Sequence, residues 1–302
     1  MENQKGLTLI EVIVICCMVL FLAAILIPAF DNGSRIAPRV VCGTNLKGLG
    51  TAIMVYANDY DDRYPQLPGE GPWAKRLGFD HDLPHPDFGQ GGAQSQTPRT
   101  ITASWYLLVR EADVGPKSFI CPLSKQGPFD GKNNANLEIT QLWDFGPDPY
   151  RHVSYALHNP YGQFPGHGDR SATFAMAADM SPWFRNGEIV APGLDGAAPQ
   201  IINAADETTW KLGNSLNNPQ IRRRFFGWWR TEVPLQGQNV LYADGHSSFE
   251  KTPNCGIKRD NIYTYWSKEN EPTDQDIQGG QNPTARDKEN DAKSKDDSFL
   301  AI

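Results

Sequence analysis

The sequence contains none of the short motifs that identify the common hydrolases and nucleotide-binding enzymes. Its 302 residues include no H-E-x-x-H, no G-x-S-x-G and no glycine-rich phosphate loop. His81 and His85 are spaced like a helical metal-binding pair, but Pro84 lies between them and prevents a shared helical face. These absences predict that the chain is not an enzyme.

Basic residues and closely paired cysteines are also scarce. The 28 Lys and Arg residues are outnumbered by 35 Asp and Glu residues, and the resulting formal charge of −7 argues against general nucleic-acid binding. The five cysteines include no C-x-x-C pair, which is the spacing typical of zinc sites. The 28 Gly and 23 Pro residues indicate a loop-rich chain with a modest amount of regular structure.

An uncharged apolar run extends from Val12 to Ile27. Together with Leu7–Ile10 it approaches the roughly 20 residues that a helix needs to cross a bilayer. Glu11 interrupts the run, and a carboxylate inside a membrane is costly unless it has a partner. A secretory signal would need a small-x-small cleavage site, which IPAFDNG does not provide. A plain membrane anchor would explain the length of the run but would give Glu11 no role beyond that of an acid near the end of the helix. The run therefore predicts a membrane helix in which Glu11 has a specific role.

The segment KGLTLIEV resembles the processing site of type IV prepilins and type II secretion pseudopilins, in which a short basic leader and a glycine precede an apolar helix. The resemblance implies that a prepilin peptidase cuts between Gly6 and Leu7 and methylates the new amine of Leu7. It also implies a leader of residues 1–6, a transmembrane assembly helix of residues 7–30 and an exported head of residues 31–266. Its partners would be other pseudopilins or pilins and an inner-membrane assembly platform.

Two further stretches extend this resemblance. CGTNLKGLGTAIMVYANDYDDRYP and GQNVLYADGHSSFEKTPNCGI are similar to segments of large pseudopilin-like proteins that carry a C-terminal Asp-Gly motif. The family implies a structural role in type II secretion or a related pilus-like machine. The protein would lie in the inner membrane with a cytoplasmic N-terminus and a periplasmic head, as a single-pass protein or as part of an envelope-spanning pseudopilus.

Packing of such helices gives Glu11 a role. In a filament, Glu11 of one subunit would meet the free amine of Leu7 on its neighbour. The low effective dielectric strengthens this pairing, and an unpaired buried carboxylate is penalised. We therefore predict that Glu11 sets the register of a homo-oligomeric or hetero-oligomeric filament.

Helix breakers and hydrophobic periodicity predict the architecture. Pro28, the DNGS stretch and Pro38 predict a bend or pause in the first helix. The helical pattern then resumes with one apolar stripe on one face. The stripe consists of Cys42, Leu46, Leu49, Ile53 and Tyr56.

Strand-like runs follow at residues 152–157, 171–178 and 238–243, and Asp244–Gly245 predicts a type I′ hairpin turn. The predicted fold class is α+β and pilin-like: a long N-terminal hydrophobic helix, bent near Pro28–Pro38, packs on an antiparallel β-sheet head with long loops. Residues 267–302 predict a disordered acidic and polar tail whose apolar end is Phe299, Leu300 and Ile302.

Three cysteines belong to the predicted head, and an oxidising compartment favours disulfides there. Cys42 with Cys121 is the preferred pair, because it would join the stalk helix to the globular part. Cys255 would then be the remaining thiol. Free structural thiols are the open alternative.

Basic and aromatic residues interleave in RRRFFGWWR, which comprises Arg222, Arg223, Arg224, Phe225, Trp228, Trp229 and Arg230. This chemistry suits single-stranded nucleic acid, with Arg for phosphates and aromatic rings for stacking. The same residues could bind glycan, contact a partner subunit or form a buried strand, and such a cluster alone is weak evidence for nucleic acid. The alternative to a structural subunit is thus a membrane-anchored exported binding module that holds DNA or glycan through this segment.

Asp179 in AADMSPW and Asp244 in YADGH are weak candidates for calcium ligands, since that ion prefers oxygen. No spacing matches a known calcium loop, and turn formation is a sufficient role for both residues. A third alternative, an exported hydrolase, would also depend on Asp179 or Asp244. The sequence therefore predicts no cofactor and leaves calcium binding as an open alternative.

Overall fold

The computed structural model describes residues 8–69, 72–77, 99–122, 124, 126–185, 187–189, 222–225, 228–231, 237–287 and 289–302. For residues 23–38, 185, 222–225 and 228–231 it describes the backbone alone. The chain forms two compact units, Met1–Val40 and Val41–Ile302. The second unit begins ten residues later than the predicted head.

The α-helices of the described residues are α1 (Leu9–Asp59), α2 (Ile101–Glu111) and α3 (Asp274–Gln278). Short 3-10 helices lie at Pro116–Phe119, Ile139–Gln141, Pro149–Arg151 and Ile257–Arg259. The strands are β1 (Tyr155–His158), β2 (Ala175–Asp179), β3 (Phe184–Arg185), β4 (Glu188–Ile189), β5 (Arg222–Phe225), β6 (Trp228–Thr231), β7 (Gln238–Tyr242), β8 (Ser247–Glu250) and β9 (Leu300–Ala301).

The first helix differs from its prediction. Pro28 and Pro38 both lie inside α1, whose backbone is helical throughout. A proline inside a helix costs about 3 kcal/mol, and the helix-forming runs on both sides offset this cost.

In the described part of the chain, no helix has the length and apolar content that crossing a bilayer requires. The predicted pilin-like fold, built on a long membrane-crossing helix that bends near Pro28–Pro38, was therefore wrong.

The antiparallel sheet that the sequence predicts is present in the second unit. Its five strands lie in the order β8-β7-β2-β1-β9, and each neighbouring pair is antiparallel. β7 matches its predicted run closely, β1 and β2 overlap the later parts of theirs, and every residue of these three strands is buried. A strand buried on both faces carries apolar side chains in succession rather than in alternation, as Ala175–Ala178 do.

The second half of α1 packs on this sheet through the predicted stripe. All five stripe residues, Cys42, Leu46, Leu49, Ile53 and Tyr56, are less than 8% exposed. Gly50 permits a close approach, because a Cβ there would lie 2.6 Å from the Leu241 side chain on β7. The Ser247 hydroxyl on β8 donates a hydrogen bond to the Gly43 carbonyl at 2.9 Å. The helix therefore lies on β7 and β8, and the predicted stripe is confirmed.

The turn between β7 and β8 is not the predicted type I′ turn. Gly245 N donates to the Tyr242 carbonyl at 2.9 Å, and Tyr242 N donates to the His246 carbonyl at 3.0 Å. Gly245 has a φ of +81°, whereas Asp244 is not among the described non-glycine residues with positive φ. This is a three-residue loop with glycine in the left-handed position, which suits Asp-Gly as well as the two-residue turn does.

The C-terminal segment is folded where the sequence predicts a disordered tail. β9 pairs with β1, and Phe299 and Leu300 are fully buried. The Asp297 carboxylate in this segment accepts hydrogen bonds from the backbone. Lys293 N and Trp266 N donate to Asp297 Oδ2 at 2.7 and 2.9 Å. The prediction of disorder for residues 267–302 was wrong, because low hydrophobicity was offset by these polar contacts and by the apolar end.

Candidate functional site

The start of α1 holds Glu11 in a hydrogen-bonded arrangement with Thr8. Thr8 N and Thr8 Oγ1 donate to Glu11 Oε2 at 2.7 and 2.9 Å, and Glu11 N donates to Thr8 Oγ1 at 3.4 Å. This reciprocal pattern is a capping box, which satisfies backbone donors at the first turn of a helix. Gly6 and Leu7 lie outside the described residues.

The apolar side chains that follow are exposed. Leu9 is 81% exposed, Ile10 is 70% exposed, and Phe21 near the end of the stretch is 68% exposed. All side chains described between residues 8 and 22 are in the exposed class. An exposed apolar surface of this extent is typical of a site that contacts another protein or a membrane.

The predicted disulfide is present. Cys42, in α1, is bonded to Cys121, which follows the 3-10 helix Pro116–Phe119, with Cα atoms 5.1 Å apart. Both cysteines are 1% exposed. Asn45 on α1 also donates to the Ile120 carbonyl at 3.0 Å. The bond therefore joins the helix to the segment after α2, as the sequence analysis expected.

Asp179 lies beside this disulfide and ends β2. Asn239 donates to Asp179 Oδ2 from its backbone N at 2.8 Å and from Nδ2 at 3.2 Å. A carboxylate oxygen of Asp179 and the two sulfur atoms lie within 4.8 Å of one another. This is the only group of three potential metal ligands among the described residues, and two of its members are bonded to each other.

Asp244 lies elsewhere. Its Oδ1 accepts a hydrogen bond from His246 N at 3.0 Å and contacts His246 Nδ1. These hydrogen bonds lower the pKa of Asp244. Asp179 contacts the beginning of β7, whereas Asp244 follows its end. The two calcium candidates therefore do not form one site. Asp244 stabilises its turn, as its position predicts, whereas Asp179 bonds across the sheet to Asn239 on β7.

The basic and aromatic segment forms a two-stranded antiparallel sheet. β5 pairs with β6, with Arg223 opposite Arg230 and Phe225 opposite Trp228. The backbone of the segment is therefore extended, and the burial that the strand alternative also expected lies outside the described features of these residues. Whether its side chains contact a ligand lies outside what the structure describes.

Two features of these regions were missed from the sequence. Thr8 could have been found, because T-L-I-E is the S/T-x-x-E pattern of a capping box. The proximity of Asp179 to the disulfide could not, since it depends on the sheet order rather than on any local spacing. In comparisons with family models, curated proteins and solved structures the chain has no match, so its sites are interpreted from its own residues.

Proposed function

We propose that the protein is a structural subunit of a pilus-like or type II secretion-like assembly, processed between Gly6 and Leu7. The observation that carries the proposal is the exposed apolar surface of residues 9–22. Such a surface is stable in water only if it is covered. Equivalent helices of neighbouring subunits, together with lipid, would cover it.

The capping box at Glu11 is compatible with this role. Both Thr8 hydrogen bonds go to Oε2 of Glu11, and a carboxylate has about four acceptor positions. Glu11 therefore retains capacity for a cation. In an assembly the amine of a neighbouring subunit's Leu7, freed by processing, would supply it.

The disulfide supports an exported second unit. Disulfides persist in oxidising compartments and are rare in the cytosol, and Cys42–Cys121 is fully buried. We therefore propose that this unit lies on the periplasmic side of the inner membrane. Its partners would be a prepilin peptidase, other pilins or pseudopilins and an assembly platform, and its role would be structural rather than enzymatic.

The experiment is the intact mass and N-terminal sequence of the protein after co-expression with a prepilin peptidase. We expect the chain to begin at methylated Leu7. Gly6→Val, which adds a branched side chain at the cleavage position, should leave the chain beginning at Met1. Gly48→Ala is the matched control, since a Cβ there would meet nothing within 4 Å.

Two results would contradict the proposal. A native chain that begins at Met1 in the presence of active peptidase would favour the alternative, an exported binding module that uses Arg222–Arg230. A chain that begins beyond Phe30 would remove the apolar surface from the mature protein and with it the basis of assembly.

A further inference from the structure

A groove of about 660 Å³ lies where α1 ends at Asp59. One wall comes from residues 56–69, and Pro165, Gly166 and His167 form the other. The volume falls in the range of roughly 300–1,000 Å³ that is typical of small-molecule sites. The groove belongs entirely to the second unit.

Backbone hydrogen bonds hold the two walls together. Tyr64 N donates to the Gly166 carbonyl at 3.3 Å, and Gly168 N donates to the Asp62 carbonyl at 2.7 Å. Gly166 is required at its position, because a Cβ there would lie 2.4 Å from the Tyr64 ring. The groove is therefore formed before any ligand arrives.

One exposed aromatic ring forms part of the groove. Tyr60 is 42% exposed, and its ring stacks on the Tyr56 ring with centroids 4.1 Å apart and planes at 13°. Tyr56 is 7% exposed and thus supports Tyr60 from behind. Burial, together with the Glu111 carboxylate, raises the pKa of Tyr60, so its hydroxyl keeps its proton. Tyr60 presents a rigid flat surface of the kind that stacks on apolar ligand faces.

The polar groups around this ring include both donors and acceptors. Asp59 and Asp61 supply carboxylates, Arg63 supplies a guanidinium group, and Gln66 supplies an amide that can donate and accept. The two carboxylates outnumber the guanidinium group, so a strongly anionic ligand would be repelled, while Arg63 offsets one of the two negative charges. The arrangement suits a neutral ligand that has many hydroxyl groups and an apolar ring face.

We infer that this groove binds a neutral saccharide, with Tyr60 stacked against a sugar ring and Asp59, Asp61 and Gln66 bonded to its hydroxyls. The inference does not depend on processing at Gly6 or on assembly. It gives the second unit a binding role at a position that is distant in sequence from the Arg222–Arg230 segment.

The test measures binding of three neutral hexasaccharides, cellohexaose, maltohexaose and chitohexaose, to the full chain with its disulfide intact. Saturation-transfer NMR on the native protein identifies which sugar protons contact it, and calorimetry gives the Kd. We expect at least one of the three to bind with millimolar or tighter affinity. Tyr60→Ala should weaken that binding by about tenfold, since it removes the stacking surface.

Two variants make the test specific. Tyr60→Phe keeps the ring and should keep the affinity within about threefold. Val55→Ala is the control, because Val55 is 52% exposed on the same helix and is not part of the groove wall. The inference is overturned if none of the three sugars binds, if Tyr60→Ala binds as well as the native chain, or if choline or lysine binds there in place of the sugars.

Discussion

The two ends of α1 differ in the pattern of their apolar residues and in their environment. Residues 9–22 are apolar at nearly every position, and their described side chains are exposed. From Cys42 to Ala57 the apolar residues recur along one face and are buried, while neighbours such as Val55 are exposed. A helix with one apolar stripe needs one partner surface, whereas a helix that is apolar all round needs an apolar environment on every side.

The difference shows that the pattern of apolar residues indicates what kind of partner each half of the helix needs. The stripe of the second half is matched by the sheet of the same chain, including the close contact between Gly50 and Leu241. The first half belongs to the other compact unit of the chain. Mutations should therefore separate the two halves: those in the second half change the free energy of unfolding, and those in the first half change association.

Removal of the disulfide should have the largest effect on stability. Cys42 and Cys121 are separated by 79 residues, and closing a loop of that size is worth about 4 kcal/mol in the chain-entropy account. We expect Cys42→Ser/Cys121→Ser to lower the free energy of unfolding by about this amount in urea titrations monitored by near-UV circular dichroism.

Cys255→Ser is the control for that pair. Cys255 is half-buried, and burial raises the pKa of its thiol to about 12, so it remains protonated and poorly reactive. Its replacement should cost less than about 1 kcal/mol. Equal losses in the two variants would mean that the cross-link contributes nothing beyond cysteine packing.

The second prediction compares one residue from each half of α1. Ile53 is fully buried and Leu20 is 70% exposed. Ile53→Ala should lower the free energy of unfolding of the second unit by about 3–4 kcal/mol, because it removes packed methyl groups and leaves a cavity. Leu20→Ala should change it by less than about 0.5 kcal/mol.

The effects of these two substitutions on self-association should have the opposite order. Analytical ultracentrifugation in mild detergent should show weaker self-association for Leu20→Ala and unchanged self-association for Ile53→Ala, once the latter is measured below its unfolding transition. Loss of self-association in Ile53→Ala alone would assign the interface to the second unit.

How far the sequence predicts this structure depends on the range of the contacts involved. The stripe from Cys42 to Tyr56 and the strands β1, β2 and β7 were predicted, because period 3.6 and apolar runs are local properties. The Cys42–Cys121 disulfide was predicted because an oxidising compartment favours disulfides and because this pair would join the stalk helix to the globular part. The folding of residues 267–302 could not be predicted, because Asp297 meets the Trp266 N donor and β9 meets β1 only after the chain returns to the sheet. The groove at Tyr60 likewise needs a wall from residues 165–167.

The third prediction concerns the pH dependence of the C-terminal strand. Phe299 N donates to His158 Nδ1 at 3.2 Å, so the ring proton lies on Nε2, which is 2.8 Å from the Phe164 carbonyl. This arrangement satisfies the neutral ring. Burial, aided by Arg170, lowers the pKa of His158 from 6.5 to about 4.

The pKa of His158 is lower in the folded protein than in the unfolded chain. The stability that the neutral ring contributes is therefore fully present above pH 6.5 and is lost as the pH falls toward 4. A shift of this size corresponds to about 3 kcal/mol. The measurement is the difference in unfolding free energy between the native chain and His158→Gln at pH 7.5, 5.5 and 4. We expect the advantage of the native chain to shrink across this series, and a constant difference would contradict the prediction. The two chains are compared at each pH because Asp144 titrates over the same range. Burial raises the pKa of Asp144 to about 7, so its protonation stabilises the folded protein as the pH falls.

The smallest expected effect is at the start of α1. Thr8→Ala removes the hydroxyl that accepts from Glu11 N and donates to Glu11 Oε2, and loss of such a cap costs about 1 kcal/mol of local helix stability. Amide hydrogen exchange of residues 9–14 should become about fivefold faster, since 1 kcal/mol corresponds to a factor of this size. Thr51→Ala is the control, because Thr51 lies within the same helix and its hydroxyl donates to the Lys47 carbonyl at 3.2 Å.

Glu11→Gln then separates the two roles of Glu11. Glutamine also serves in a capping box, so exchange of residues 9–14 should stay near that of the native chain. If Glu11 also pairs with the amine of a neighbouring Leu7, the loss of its charge weakens assembly while the helix start is preserved, because an amine left without its carboxylate is penalised in an apolar surrounding. If assembly and exchange are both unchanged, the carboxylate acts only as a cap, and the contrast between the two halves of α1 rests on apolar exposure alone.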